Sequence, residues 1–178
     1  NKSKGQLFYL YKNKLSLYIC VMQKLLLLVG KTEDKNLKAL IDKYHKRILK
    51  YHRFDIEIIP EIKNSKNLSQ SLQKSKEGEL IIKKTKASDC IILLDENGKQ
   101  YDSLDFSKYI EKKRMSPSRR LIFIVGGPYG FSDEVIEKSH EKLSLSKMTF
   151  SNQMIRLFFV EQLYRANTIL KNEPYHHQ

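Results

Sequence analysis

Along this chain, apolar residues fall either in short unbroken runs or at helical spacing, and the two patterns alternate. Lys24–Gly30 (KLLLLVG), Cys90–Leu94 (CIILL) and Leu121–Val125 (LIFIV) are continuous apolar runs, the mark of strands buried on both faces. Phe54–Ile59 (FDIEII) alternates up to Pro60 and predicts a further strand. Between them, Thr32–Tyr51 carries Leu37, Leu40, Ile41, Tyr44 and Ile48 at helical spacing. Leu68–Lys84 reads as a lysine-rich amphipathic helix, and Ser103 opens a helix running to about Met115. After the fourth strand, Gly126-Gly127-Pro128 turns the backbone, and Ser132 with Asp133 and Glu134 starts a short helix. A compact, strand-like segment follows over Leu143–Phe150, then an apolar helix from Asn152 to about Leu170. Strands alternating with helices predict an α/β fold with a mainly parallel sheet covered on both faces.

The last helix, MIRLFFVEQLYRANTIL, is apolar on nearly all sides and must be buried on more than one face. The simplest second cover is another copy of the protein, so a homodimer is expected. Glu161 and Arg165 are spaced to pair along the helix, whereas Arg156 has the option of reaching a phosphate.

Charge changes the picture more than composition does. Lysine and arginine number 33 against 20 acidic residues, a net charge of +13, which favours a polyanionic partner such as nucleic acid. Residues 1–21 hold Lys2, Lys4, Lys12 and Lys14 and no acid, and read as an extension outside a single domain over 22–178. Lysines ahead of Leu15–Val21 hint at a signal peptide, but no small-residue cleavage site follows. The two cysteines, Cys20 and Cys90, form neither a disulfide framework nor a metal quartet, which fits a reducing cytoplasm. No apolar run is long enough to span a membrane as a helix.

Candidate chemistry lies at the carboxyl ends of the strands, where open parallel sheets bind ligands. Leu94-Asp95, Gly126-Gly127 and Leu145–Phe150 mark three such ends. If these strands are neighbours, they enclose one pocket with exposed backbone groups and an apolar wall from Leu94, Leu145, Met148 and Phe150. A nucleoside-like ligand suits it. The chain has no G-x-G-x-x-G after its first strand, no P-loop, no H-E-x-x-H and no C-x-x-C, so no metal is expected. His45, His52 and His140 read as surface or core residues rather than ligands.

From Met22 onward the chain resembles the SPOUT-class methyltransferases of the RlmH type. The motifs are LLLLVGK (Leu25–Lys31), LLDENGK (Leu93–Lys99), FIVGGPYGFS (Phe123–Ser132), LSLSKMTF (Leu143–Phe150), EQLYRA (Glu161–Ala166) and PYH (Pro174–His176). The resemblance implies a SPOUT-type parallel sheet flanked by helices, with the C-terminal chain threaded into a trefoil knot, and an obligate homodimer. It implies S-adenosyl-L-methionine as cofactor, held by Leu94, Gly126, Leu145, Ser146, Lys147, Met148, Thr149 and Phe150. The implied reaction is methylation of N3 of a pseudouridine in 23S rRNA, on the assembled ribosome. His176 is the candidate for proton handling or base orientation, and Tyr175 for stacking on the base or hydrogen bonding to it. Arg114, Arg119, Arg120 and the lysine-rich helices would grip rRNA. The chain departs from the common pattern in having Ser151-Asn152 where many members have Pro-His, and His177 where many have arginine. A SPOUT enzyme acting on another RNA such as tRNA, and a non-catalytic RNA-binding module, are the alternatives.

Overall fold

The computed structural model describes residues 22–62, 67–116 and 118–176. The extension expected over 1–21, part of the polar turn after Ile62, and His177 lie outside the described residues. Strands β1 (Gln23–Val29), β2 (Phe54–Ile59), β3 (Asp89–Lys99), β4 (Arg120–Val125) and β5 (Glu141–Leu143) form one sheet in the order β2-β1-β4-β3-β5. All the pairings are parallel. Helices α1 (Lys35–Ile48), α2 (Gln70–Lys84), α3 (Ser103–Arg114), α4 (Asp133–Lys138) and α5 (Asn152–Leu170) connect and cover it.

The period of two along each strand divides the apolar residues between two cores. Leu26, Leu28, Phe123 and Val125 meet Ile41 and Ile48 of α1, Phe106 and Ile110 of α3, and Phe159 and Leu163 of α5. Leu25, Leu27, Val29, Ile122 and Ile124 face the other way, onto Ile81 of α2 and Val135 of α4. Each fully buried aliphatic side chain contributes about 1.5–3 kcal/mol, so these central strands hold the domain together.

Local chemistry sets the helix starts. Asp34 accepts from the Asn36 and Leu37 amides, Ser69 from Leu72, Asp102 from Asp105 and Ser151 from Met154. Asp102 rather than Ser103 therefore caps α3. Ser132 precedes α4 but makes no capping bond.

Two expectations change. The third strand does not stop at Leu94: Asp95–Lys99 continues it, because β5 pairs first with Ile92–Leu94 and then, after a bulge, with Lys99. The strand-like segment after Lys142 is shorter than expected. Pairing ends at Leu143, and residues 144–151 form a loop held by side chains. The helix α5 also finds much of its cover within the subunit, since α1 and α3 flank it and Phe159, Val160 and Leu163 are fully buried. What remains half-exposed on it includes Met154, Leu157 and Phe158.

At the opposite, amino-terminal end of the sheet, Lys24 is only 2% exposed beside His52, Glu111 and Arg114. Burial, then repulsion by Arg114, lowers its pKa to about 8. A lysine depressed in the folded state costs stability fully below pH 8, and the cost fades as pH rises towards the unfolded value of 10.5. Lys24→Met should therefore stabilise the fold at neutral pH by about 1–3 kcal/mol, with the gain shrinking above pH 8. Denaturant unfolding at pH 7 and pH 10 checks both parts.

Candidate active site

Strands β4, β3 and β5 are adjacent, so their carboxyl ends converge as the sequence required. They surround a cavity of about 420 Å³, a size suited to a nucleoside-like ligand. The floor is Val125-Gly126-Gly127, one wall is Leu94–Asn97, and the opposite wall comes from the loop after β5. Leu94, Gly126, Leu145, Ser146, Met148, Thr149 and Phe150 all line it. Lys147 is not among the lining residues. Met148 lines the rim but is 74% exposed, so it adds little to an apolar wall.

Short-range hydrogen bonds shape the loop wall. Ser144 N–H donates to Lys99 O (3.0 Å), and Ser144 Oγ donates to Ser146 O (2.8 Å). Met148 N–H donates to Ser146 Oγ (2.9 Å), and Thr149 Oγ1 donates to Glu96 Oε2 (2.7 Å), which ties the two walls together. Lys142 Nζ lies 3.3 Å from Asp95 Oδ2 at the base of this join. The Phe150 and Phe158 rings, 4.8 Å apart, attach the end of the loop to α5.

The floor is bare backbone. Gly126 lies against the Phe131 ring, and Gly130, at φ +77°, lets the turn close with Gly130 N–H donating to Gly127 O (3.2 Å). Sequence reasoning missed Tyr129, Phe131 and Ile155 as lining residues, and it marked Asp95 as a ligand-binding strand end but not Glu96. The aromatics Tyr129 and Phe131, enclosed by the glycine turn, were the available signal.

The tail takes a different place. A Schellman motif ends α5: Glu173 N–H donates to Thr168 O (2.9 Å) and Asn172 N–H to Ile169 O (3.0 Å), with Asn172 at φ 55°. The chain thereby folds back along α5. Tyr175 OH donates to Glu161 Oε1 (3.0 Å) and lies 3.2 Å from Tyr44 OH. Its ring packs edge-on against Tyr164 and beneath the Arg165 guanidinium. Burial, then the bonds to Tyr44 and Glu161, hold the Tyr175 phenol well above its usual pKa. Neither Tyr175 nor His176 lines the cavity of its own chain. Ile155 does, and Glu161–Arg165, which hold the tail, lie six to ten residues along α5, about 9–15 Å away.

The arginines are mostly committed. Arg165 pairs with Glu161 (2.7 Å), as its spacing indicated. Arg156 is 2% exposed and donates to Val29 O (2.7 Å), Gly30 O (3.0 Å) and Thr32 Oγ1 (3.0 Å). Those bonds leave it no access to a phosphate. Arg114 holds Glu111, and Arg120 holds the buried Asp89, so Arg119, exposed like Arg114, is the member of the three expected to grip RNA that has no acidic partner among the described residues. His45 bonds to Phe54 O, and His140 Nδ1 accepts from Ile91 N–H, so both are structural. Among the described residues no cluster of three His, Cys, Asp or Glu side chains gathers as a metal site, and no helix is long and apolar enough to cross a membrane.

A family described as "Predicted SPOUT methyltransferase" matches residues 22–176. The chain is 60% identical over 153 residues to a protein of Flavobacterium johnsoniae called ribosomal RNA large subunit methyltransferase H, covering 86% of this chain and 98% of that relative. It is 55% identical over 153 residues to the protein of the same name from Parabacteroides distasonis, with the same coverage. Among solved structures, one described as a "probable methylase family protein" from Haemophilus influenzae aligns over 85% of this chain and 67% of its own, at 13% identity and a TM-score of 0.46.

The join between the walls predicts a sensitive position. A Cβ on Gly98 would stand 2.6 Å from the Leu143 backbone, where no flexible side chain can give way. Gly98→Ala should push Asp95–Lys99 off β5 and destabilise the fold by about 2–4 kcal/mol, measured by urea unfolding.

Proposed function

This chain belongs to the SPOUT methyltransferase family, and we propose that it methylates N3 of a pseudouridine in 23S rRNA, using S-adenosyl-L-methionine. The observation that carries the reading is the cavity at the β3, β4 and β5 ends: bare glycine backbone below, a polar loop above, and space for an adenosine. The residues present fit the cofactor. Backbone groups of Leu94, Gly126 and the loop from Leu145 to Phe150 would hold the adenine and ribose, with Lys147 at the outer edge of that loop. Asp95 and Glu96 supply acceptors for the ribose hydroxyls and the cationic end of the molecule. The cofactor supplies an electrophilic methyl group; the chain supplies alignment and exclusion of water.

The acceptor nitrogen is an imide that must lose its proton, and His176, on the tail, is the residue we assign to receive or direct it. Within one subunit that tail is on the far part of α5, so the reading includes a homodimer in which one subunit's tail approaches the other's cavity. The half-exposed Met154, Leu157 and Phe158 on α5 provide apolar surface for that contact. Tyr175, half-buried and held by Glu161 and Arg165, would anchor the tail and stack on the base or hydrogen-bond to it. In this reading the domain comprises residues 22–178, the chain after Leu143 completes the trefoil knot, and the protein works in the cytoplasm on the ribosome. The basic excess gives sequence-independent affinity for rRNA, and Arg119 is the arginine free to contribute.

Incubating ribosomes that lack the modification with the protein and labelled cofactor, then mapping the label by mass spectrometry, tests the substrate. Label at N3 of a single 23S pseudouridine is expected; label confined to tRNA would move the activity to the other RNA class. His176→Ala should lower kcat about 10²-fold or more while cofactor affinity changes little. Unchanged turnover would remove His176 from the reaction.

A further inference from the structure

Behind the glycine floor, on the side away from the cavity, lies a carboxyl group that the reaction does not use directly. Glu77, in the middle of the lysine-rich helix α2, is 3% exposed. Gln73 Nε2 donates to its Oε1 (2.8 Å), one helical turn back, which fixes the side chain. Its Oε2 is buried and has no hydrogen-bond partner among the described residues. The same carboxyl presses on the floor: a Cβ built on Gly127 would stand 2.1 Å from Oε2 and 2.7 Å from the carboxyl carbon. One residue along, a Cβ on Gly78 would stand 2.2 Å from Ser132 Oγ, which is also buried and unpartnered among the described residues. Helix α2 therefore meets the Gly126–Ser132 turn through two contacts, each closed by a glycine on one side and a polar side chain on the other.

That arrangement is costly for a helix chosen only for stability. Glycine inside a helix is disfavoured, and a buried carboxyl short of a partner is disfavoured further. Burial raises the pKa of Glu77, with the Glu61 charge adding to the effect against the bond from Gln73. A neutral acid tolerates such a site far better than an ion does, and it keeps the same shape. What the two glycines and the fixed carboxyl achieve together is a backbone seated to within a methyl group.

We propose that Glu77 is a positioning residue for the cofactor: held by Gln73, its carboxyl is the surface on which Gly127 rests, and so it sets the height of the Gly126–Gly127 floor beneath the ligand. The inference rests on the cofactor reading of the cavity. A larger group at position 127 lifts the floor into the cavity, and a smaller one at position 77 lets it drop away. The two positions are then coupled by steric fit, and each change is compensated by the other.

The test is a double-mutant cycle on affinity for S-adenosyl-L-methionine, measured calorimetrically with folded dimer or monomer confirmed for every protein by circular dichroism. Gly127→Ala alone should weaken binding about tenfold or more, and Glu77→Ala alone by a similar factor. In Glu77→Ala/Gly127→Ala the new methyl occupies the space the carboxyl left, and binding should recover to within about threefold of the parent. Glu77→Gln, which keeps the shape without an ionisable group, should bind like the parent. A merely structural role would move unfolding temperature without this recovery. Additive losses in the double variant, or single variants that bind like the parent, would overturn the inference. Failure of the parent protein itself to bind would overturn the cofactor reading instead, so the two failures are distinct.

Discussion

The ligand end of the sheet depends on a single buried guanidinium. Arg156 extends from α5 to the end of β1 and donates to the Val29 and Gly30 carbonyls and the Thr32 hydroxyl. A buried charge is tolerated only where it is hydrogen-bonded, and three bonds from its two terminal nitrogens fix this guanidinium between α5 and the end of β1, while its buried Nε has no partner among the described residues. Burial lowers its pKa, with the Glu61 charge opposing that shift. From that anchor, the amino end of α5 carries Asn152 and Ile155 to the cavity, and its carboxyl half carries the tyrosine cluster that seats the tail. The helix is thus both the rear wall of the cavity and the support for His176.

Around that anchor, the cavity is made by glycine backbone in close approach to its neighbours. Gly98 meets the Leu143 main chain, Gly126 meets Phe131, and Gly127 meets Glu77. Such contacts leave main-chain donors and acceptors facing the cavity and make the floor rigid, which suits a reaction in which alignment supplies most of the rate. In the proposed reading, recognition of the RNA falls instead to the basic excess of the chain and to Arg119, which is unpaired among the described residues. The division is consistent with a small enzyme whose large partner provides much of its own specificity.

The central strands were legible because their residues are buried on both faces. Phe54–Ile59 has the bounds read from its alternation up to Pro60, and the helix Asn152–Leu170 has those read from its apolar pattern. The ends of elements were less so. Asp95–Lys99 has the composition of a turn and pairs only because β5 offers backbone partners at a distance in sequence. Glu141–Leu143 is a three-residue edge strand with two charges, and no periodicity marks it. The site followed the same division. Leu94, Gly126 and the loop after Leu143 were visible as strand ends, whereas Glu77 lies in a helix that reads only as lysine-rich and amphipathic. The glycine beside it, costly inside a helix, was the signal that α2 touches something closely. The placement of Tyr175 away from its own cavity depends on a left-handed Asn172, which sequence marks only weakly.

The measurement that bears most directly on this account is a titration of isotopically labelled protein with S-adenosyl-L-methionine, followed by amide chemical shifts. Binding at the strand ends predicts shifts concentrated in Leu94–Lys99, Gly126–Phe131 and Ser144–Phe150, with Lys24, Tyr51 and Arg114 at the opposite end of the sheet unchanged. Shifts centred on that opposite cavity, or none in a folded protein at saturating cofactor, would contradict it.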